Sequence, residues 1–535
     1  MKKRFIYSSL LIASSFLASC TKDFTEINTD PNKTTAELFN ANFLLAQSQI
    51  KFSNTGYDQL LFQSMWSQAL ASTYDYYGNG DKYVFRGSGQ GYNGRVWDTS
   101  YGAATLVFEM KNLVKGNAAQ SNLDNVGTIM KVLTLSRVTD AYGDVPYSEA
   151  GLAKEGLVTP VYDTQKSIYA SMLSELETAT AALDATKAKP SSDLFYSGDI
   201  PKWKKLGYSL MLRLAMRLTK VDPATAKTYA EKAFQGGTMA DITDNAKVQP
   251  DNANGNGSSN AAALLVNDDF REVRWSKTLI DFMALSADPR ISAIAEVSTG
   301  TGKKATENQA PGITTASLQK GLPNGYDLNG GATDVSRAPG YPGTSPANPA
   351  TTGDAAAPVG LYSRPRFAVY DDRNSINMLL TYGETELLLA EAATRGWATG
   401  DAATHYANAL AANMRSLAQL NAVAVATVDE AAITAYVAAH PLLPGTALEQ
   451  INMEYWVETA STFNFNENWT NWRRSGFPVL TPVVYSGQFT NGTIPRRIQY
   501  KLNVGSSNTA NFNAAVARLS GGDTFTSRMY WDVAQ

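Results

Sequence analysis

One cysteine and two histidines are all that 535 residues contain of the two side chains most often used to bind zinc. With a single Cys, at position 20, no disulfide forms within the chain, and a Cys/His zinc site has too few ligands. A catalytic triad needs His405 or His440. Both fall in Ala-rich helical contexts, there is no Gly-x-Ser-x-Gly elbow, and both read as histidines on helix surfaces. Excess charge is also missing. A net charge of -3 and 18% charged residues exclude a chain built to grip phosphates, so nucleic acid is not an expected partner. No cofactor motif stands out, and none is expected.

Long apolar runs are lacking too. The one clear run, Phe5 to Ala18, is about 14 residues, too short to span a bilayer stably. It follows Lys2, Lys3 and Arg4, the basic start of a secretory signal. The run ends in Leu17-Ala18-Ser19-Cys20, which looks like a bacterial lipobox. Residues 1–19 then form a lipoprotein signal peptide, and Cys20 becomes the acylated first mature residue. Acyl chains anchor strongly, at about 0.8 kcal/mol per buried methylene. Thr-Lys-Asp-Phe-Thr-Glu after Cys20 resembles the surface-export signals of Bacteroidetes lipoproteins. Residues 20–36, with Asn28-Thr29-Asp30-Pro31-Asn32, read as a polar tether.

What remains, 37–535, reads as one large, mostly helical domain. Hydrophobic residues are 44% of the chain, enough for a substantial core. Asp163 to Leu183 sets Ile168, Met172, Leu173, Leu176 and Leu183 on one helical face. Asp222 before Pro223 is an N-cap with proline at the first helical position, and Gly236-Gly237 closes that helix. Thr446 to Glu449 reads as a capping box opening a helix through Trp456. Ile376 to Arg395 reads as one long helix, and Gly400-Asp401 starts its partner, carrying Tyr406, Ala409, Leu410 and Met414. That pair has a tetratricopeptide rhythm, with similar pairs at about 126–184 and 201–236.

Two regions break the helical pattern. Residues 72–98 are rich in Gly and aromatics, and a loop-rich insertion runs from about 250 to 370. An ordered loop of that length is usually functional. Tyr and Trp offer a flat apolar face and a hydrogen bond together, and the chain has 26 and 9 of them. In the first region Tyr74, Tyr76, Tyr77, Asp81 and Tyr83 surround Gly78-Asn79-Gly80. Sugar C–H faces stack on rings while carboxylates and amides take hydroxyls, so these five are candidate ligand contacts. Asp269, Arg271 and Trp275, in the second region, are candidates for the same pocket. Trp97 and Tyr101 read as packing.

Several motifs resemble the SusD/RagB family, in its SusD-like subgroup. They are the lipobox with Asp30-Pro31-Asn32, then Asp140-Ala141-Tyr142-Gly143-Asp144-Val145-Pro146-Tyr147, then Ala287-Asp288-Pro289-Arg290. Further on come Tyr382-Gly383-Glu384-Thr385-Glu386 leading to Ala390-Glu391-Ala392, then Asn471-Trp472-Arg473-Arg474-Ser475-Gly476-Phe477-Pro478, and Ile494-Pro495-Arg496-Arg497. Where the family pattern has Tyr-Pro after the paired arginines, this chain has Tyr500-Lys501-Leu502. The resemblance implies tetratricopeptide helix pairs and a non-enzymatic role at the outer membrane. A glycan, or in some members a peptide, would be captured and passed to a SusC-type TonB-dependent transporter. A glycosidase is the remaining alternative, since paired acids become visible only in three dimensions. The motif residues themselves read as structural: Gly143 relieves backbone strain, Trp472 to Arg474 lock a C-terminal helix, and Glu391 pairs with Arg395 one turn on.

Overall fold

Several of the helices begin where a short polar side chain takes a free amide proton of the first turn. The computed structural model describes residues 39–73, 78–84, 89–266, 272–298, 311–342, 361–421, 424–501 and 504–534. Counting helices of ten residues or more, α1 is Asn42–Ser53, α2 Arg95–Val114, α3 Ser121–Tyr142, α4 Gln165–Ala182, α5 Ile200–Arg217 and α6 Pro223–Gly236. After the insertion come α7, Tyr382–Thr394, α8, Ala402–Ser416, α9, Glu430–Ala439, α10, Ala447–Ser461, α11, Phe465–Ser475, and α12, Thr509–Arg518. Thr164, Asp199, Asp222, Thr381 and Asp401 each accept an amide proton from the first turn of α4, α5, α6, α7 and α8. Pro223 sits at the start of α6, as its sequence requires.

Each helix from α1 to α6 packs on the one before it. α5 then meets α7, α7 pairs with α8, and α7, α10 and α11 pack in turn. Ile168, Met172, Leu173 and Leu176 are all buried on α4, each contributing about 1.5–3 kcal/mol. The successive antiparallel pairs give the mostly α, tetratricopeptide-like scaffold expected, and residues from Asn42 onward form one compact unit. Of the unit Met1–Ala41, only residues 39–41 are described, so the signal peptide, Cys20 and the tether to residue 36 lie outside the described residues. Among the described residues no helix is long and apolar enough to cross a membrane.

Two helix expectations need correction. Ile376 to Arg395 is not one helix: Asn377–Leu380 is a strand, and α7 starts at Tyr382 because Thr381 caps it. Asn-Met-Leu-Leu is buried throughout, and a short apolar run of that kind fits strand and helix equally. α10 lacks the capping box. Instead Gln450 Oε1 accepts from the Leu443 amide and the Thr446 hydroxyl, and Gln450 Nε2 donates to the Pro441 carbonyl.

Among the described residues six short strands form three antiparallel two-stranded sheets. β1 (Leu70–Ser72) pairs with β3 (Val273–Trp275), Leu70 opposite Trp275. β2 (Ala246–Val248) pairs with β6 (Asn377–Leu380), and β4 (Ala295–Glu296) with β5 (Arg364–Pro365). The insertion therefore contains ordered elements, including helices Ser259–Leu264, Lys277–Leu285 and Arg290–Ile294. Through β1 and β3, the two regions that break the helical pattern meet.

The interior between the helices is charged as well as apolar. Arg213 on α5 makes hydrogen bonds of 2.5 and 2.6 Å to Glu384 on α7. Arg217 reaches Glu467 on α11 at 2.5 Å, and Tyr455 donates to both Glu384 and Glu467. Arg290 joins Asp288 to Glu454 at 2.6 and 2.7 Å. Removing one member of such a buried pair costs about 3–5 kcal/mol, because the other is left charged and dry. The sequence motifs supply part of this network, Asp288, Arg290 and Glu384 among it. Asp140 accepts from Tyr169 and Trp531, Gly143 has φ 89° where α3 ends, and Arg496 and Arg497 pair with Asp532 and Asp523. Trp97 packs on Tyr101 at 4.7 Å, as expected of packing residues.

Candidate functional site

A cleft of about 570 Å³ opens between Gln68, the insertion and the loop at 481–484. Ligand sites commonly occupy about 300–1,000 Å³. Two interior cavities, of about 20 and 30 Å³, flank Arg137 and have room only for water.

Three walls and a floor make the cleft. The first wall is the helix Lys277–Leu285, which presents Lys277, Thr278 and Asp281. Ser276 starts this helix by accepting from the Leu279 amide. Since β3 ends at Trp275, its pairing with β1 fixes where the helix begins. Lys277 and Asp281 pair one turn apart and are 44% and 51% exposed.

The second wall is the loop from Pro323 to Thr333, with Asn324, Gly325, Tyr326 and Ala332. Leu322 anchors its start, donating to the Trp275 carbonyl at 2.9 Å and accepting from the Lys277 amide at 2.8 Å. Asp327 holds its turn, accepting from the Asn329 amide and from the hydroxyls of Thr333 and Tyr485. Tyr326 is half-buried and packs, with Leu328 and Tyr341, on the apolar cluster of Ala71, Leu322, Val335 and Tyr362.

The third wall is Thr481, Pro482, Val483 and Val484, the last 84% exposed. Gly325, at φ 88°, lies so close to Val483 that a Cβ there would meet a valine methyl at 2.6 Å. Gln68 forms the floor.

Among the described lining residues the charged side chains are Lys277 and Asp281, of opposite sign. The rest are amides, hydroxyls, aliphatics and one ring. Such a surface takes a neutral ligand with hydroxyls on its edges and apolar faces.

Asp81, expected to touch ligand, is fully buried behind the second wall. Its carboxylate accepts from Asn324 Nδ2 at 2.6 Å and from the Gly325 amide at 2.8 Å, and pairs with buried Lys82 at 3.0 Å. Tyr83 is fully buried with φ 56°; its carbonyl accepts from the Phe489 amide, and burial pushes its phenol up. Trp275 is also fully buried, donates to the Ile294 carbonyl at 3.1 Å and lies edge-on to Tyr370 and Phe463. These three brace the site from behind. Tyr74, Tyr76, Tyr77, Asp269 and Arg271 lie outside the described residues.

The cleft-lining residues were missed individually. Their signal was present in Pro-Asn-Gly-Tyr-Asp-Leu-Asn-Gly-Gly, turn formers around a ring inside the insertion.

The histidines are not bare surface residues. His405 bonds Glu386 through Nδ1 at 3.0 Å and the Thr399 carbonyl through Nε2 at 2.8 Å. His440 stacks on Tyr436 at 4.0 Å and meets the Tyr436 carbonyl through Nδ1. Neither lines the cleft. Among the described residues no group of three or more His, Cys, Asp or Glu is placed to hold a metal ion.

Fold and cleft together define a helix-repeat scaffold that carries an open cleft on its loops. The chain belongs to the SusD-like family described as starch-binding and associating with the outer membrane, whose model matches residues 31–501. Among solved structures, a chitin-binding protein is 31% identical, with TM-score 0.77, covering 92% of this chain and 100% of that one. A chitin-binding SusD homologue from Flavobacterium johnsoniae is 24% identical, with TM-score 0.70, over 92% and 98%. A SusD-like protein from Bacteroides thetaiotaomicron is 20% identical, with TM-score 0.69, over 93% and 99%. Among curated proteins, none matches this sequence.

Proposed function

We propose that this protein captures a neutral oligosaccharide in the cleft between Lys277, Tyr326 and Val484, without altering it. The carrying observation is the cleft itself: large enough for several sugar rings, balanced in charge, and bordered by a tyrosine ring and exposed aliphatics. The relative that is 31% identical binds chitin by its name, which makes β-linked N-acetylglucosamine oligomers the first ligands to test. Their acetamido methyls suit exposed Val484, and their hydroxyls suit Thr278 and the Lys277–Asp281 pair. Most glycoside hydrolases use two carboxyl groups flanking the scissile bond. The described lining offers Asp281, already ion-paired.

The lipobox-like sequence and the family's association with the outer membrane support a setting for this reading. Acylated at Cys20, the protein stands on the outer membrane and holds its ligand beside a SusC-type transporter, where confinement raises the effective concentration of a weak binder. A Cys20→Ala chain should leave the membrane fraction.

Calorimetric titration with chitin, cellulose and starch oligomers and with peptides tests the reading. One oligosaccharide series should bind, and Tyr326→Ala should weaken it about tenfold, the loss of one ring contact. Heat from peptides alone, or an unchanged Tyr326→Ala, overturns it.

A further inference from the structure

Gln68 is a residue that the geometry singles out. It precedes β1, is 5% exposed, and adopts φ 50°, a left-handed conformation that costs an ordinary side chain about 1–2 kcal/mol. Non-glycine residues held this way cluster at functional sites, where the surrounding structure over-determines them. Here the constraint is visible. The Gln68 carbonyl accepts from the Ser276 hydroxyl. Its amide Nε2 donates to the Thr481 carbonyl at 2.6 Å, and its Oε1 accepts from the Thr278 hydroxyl at 3.3 Å. Thr278 is on the helix wall and Thr481 begins the opposite one.

We propose that Gln68 is the positioning residue of the cleft: its side-chain amide clasps the Thr278 wall to the Thr481 wall and so sets the width a ligand meets. This rests on the cleft being the glycan site. The clasp needs a donor toward Thr481 and an acceptor toward Thr278 at once, which a primary amide supplies and an ionised carboxylate does not. Val483 packs against Gly325, a contact that resists approach and does not resist opening, and the Tyr485 hydroxyl just beyond ties this loop to Asp327 on the second wall, not to the Thr278 helix. Without the clasp the walls separate, and ligand must first bring them back together, which lowers affinity by the fraction of time they are closed.

Gln68→Glu gives a test that can be switched within one protein. A neutral carboxyl donates through its O–H to Thr481 and accepts from Thr278, whereas the carboxylate only accepts and faces a carbonyl. Burial raises the pKa of the introduced acid, so the neutral form holds at about pH 5 and the charged form at about pH 8. Full-length mature protein is titrated calorimetrically with chitin oligomers at both values, after near-UV circular dichroism confirms a native fold. The wild type should bind alike at both. Gln68→Glu should bind nearly as the wild type at the lower pH and about tenfold more weakly at the higher one. The companion readout needs no ligand: amide exchange of residues 483–485 should be faster in Gln68→Glu than in the wild type at about pH 8, and equal at about pH 5. Affinity of Gln68→Glu that does not change with pH, with the wild type binding, overturns the clasp and leaves the glycan reading standing. Wild type that binds no oligomer, with the exchange difference present, overturns the glycan reading and leaves the clasp.

Discussion

Arg474 and Glu391 face each other across α11 and α7 as two parallel hydrogen bonds, each 2.7 Å, with both side chains buried. Arg395 adds a 2.8 Å bond to the same carboxylate, and Asn452 joins the cluster through Arg474 at 2.9 Å. Burial alone would raise the Glu391 carboxyl; the two guanidinium groups overcome it and hold the group far below the usual range.

From this follows a large stability change for a single substitution in the helix framework. Arg474→Lys keeps a charge but loses the forked geometry, and Arg474→Ala leaves Glu391 with Arg395 alone. Arg474→Ala should cost about 3–5 kcal/mol in urea unfolding, and Arg474→Lys somewhat less. The sign with pH is that of a depressed carboxyl: the stabilisation is present above its unfolded pKa and is lost only as pH falls through the folded value. Acid unfolding should therefore begin at a higher pH in Arg474→Ala.

His405 makes a pH-dependent join between α7 and α8. Both its partners, the Glu386 carboxylate and the Thr399 carbonyl, are acceptors, so only the imidazolium satisfies both. Burial lowers its pKa, and the Glu386 hydrogen bond and charge outweigh burial, so the group is raised above 6.5. A raised base contributes stability that is complete below its unfolded pKa and is lost as pH rises through the folded one. Melting temperature should fall between about pH 6 and pH 8 in the wild type, and His405→Ala should flatten that fall. An equal slope in both proteins would show that His405 stays neutral.

Glu458, on α10, is shifted the opposite way to Glu391. Its Oε1 accepts from the Thr381 hydroxyl at 2.5 Å, while Oε2 is buried without a partner. Burial first, then the nearby Glu384, push it up to about 8 from 4.5. Between those values the unfolded chain has lost the proton that the folded chain keeps, so stability falls as pH rises. Glu458→Gln removes that cost. It should match the wild type at about pH 4 and exceed it in melting temperature by a widening margin toward pH 8. A margin that does not grow with pH would contradict a neutral Glu458.

The contrast between framework and site explains what the sequence disclosed. Helix periodicity on α4, the Asp222-Pro223 start of α6 and the Asp401 start of α8 are local signals, and local signals survive into the structure. The family motifs were legible for a related reason: Asp140, Asp288, Glu384, Glu391 and Arg474 are buried charges whose partners leave little choice of residue. None of them lines the cleft. The site is assembled from Gln68, the helix after Ser276, the Tyr326 loop and Val484, segments far apart in sequence that β1–β3 pairing brings together. Asp81, Tyr83 and Trp275 read in the sequence as candidate ligand contacts, whereas tertiary contacts bury all three behind the walls. Asn377–Leu380 was misread because four buried apolar-rich residues carry no period.

The charge balance of the cleft makes its own prediction. Lys277 and Asp281 cancel, so a neutral oligosaccharide gains no long-range attraction, and its affinity should change less than about twofold between low and high salt, where the Debye length shrinks from about 30 to 3 Å. Asp281→Asn keeps the shape but frees the Lys277 charge. Two consequences oppose each other in one protein: the neutral ligand loses a hydroxyl acceptor and should bind several-fold more weakly, while an anionic oligosaccharide of equal length should gain affinity that salt removes. Both side chains are about half exposed, so the fold is expected to tolerate the change, and melting temperature serves as the control. If Asp281→Asn leaves neutral binding intact and still rejects the anionic oligomer, the Lys277–Asp281 pair stands outside the ligand's reach, and the recognition surface is the Tyr326 and Val484 side alone.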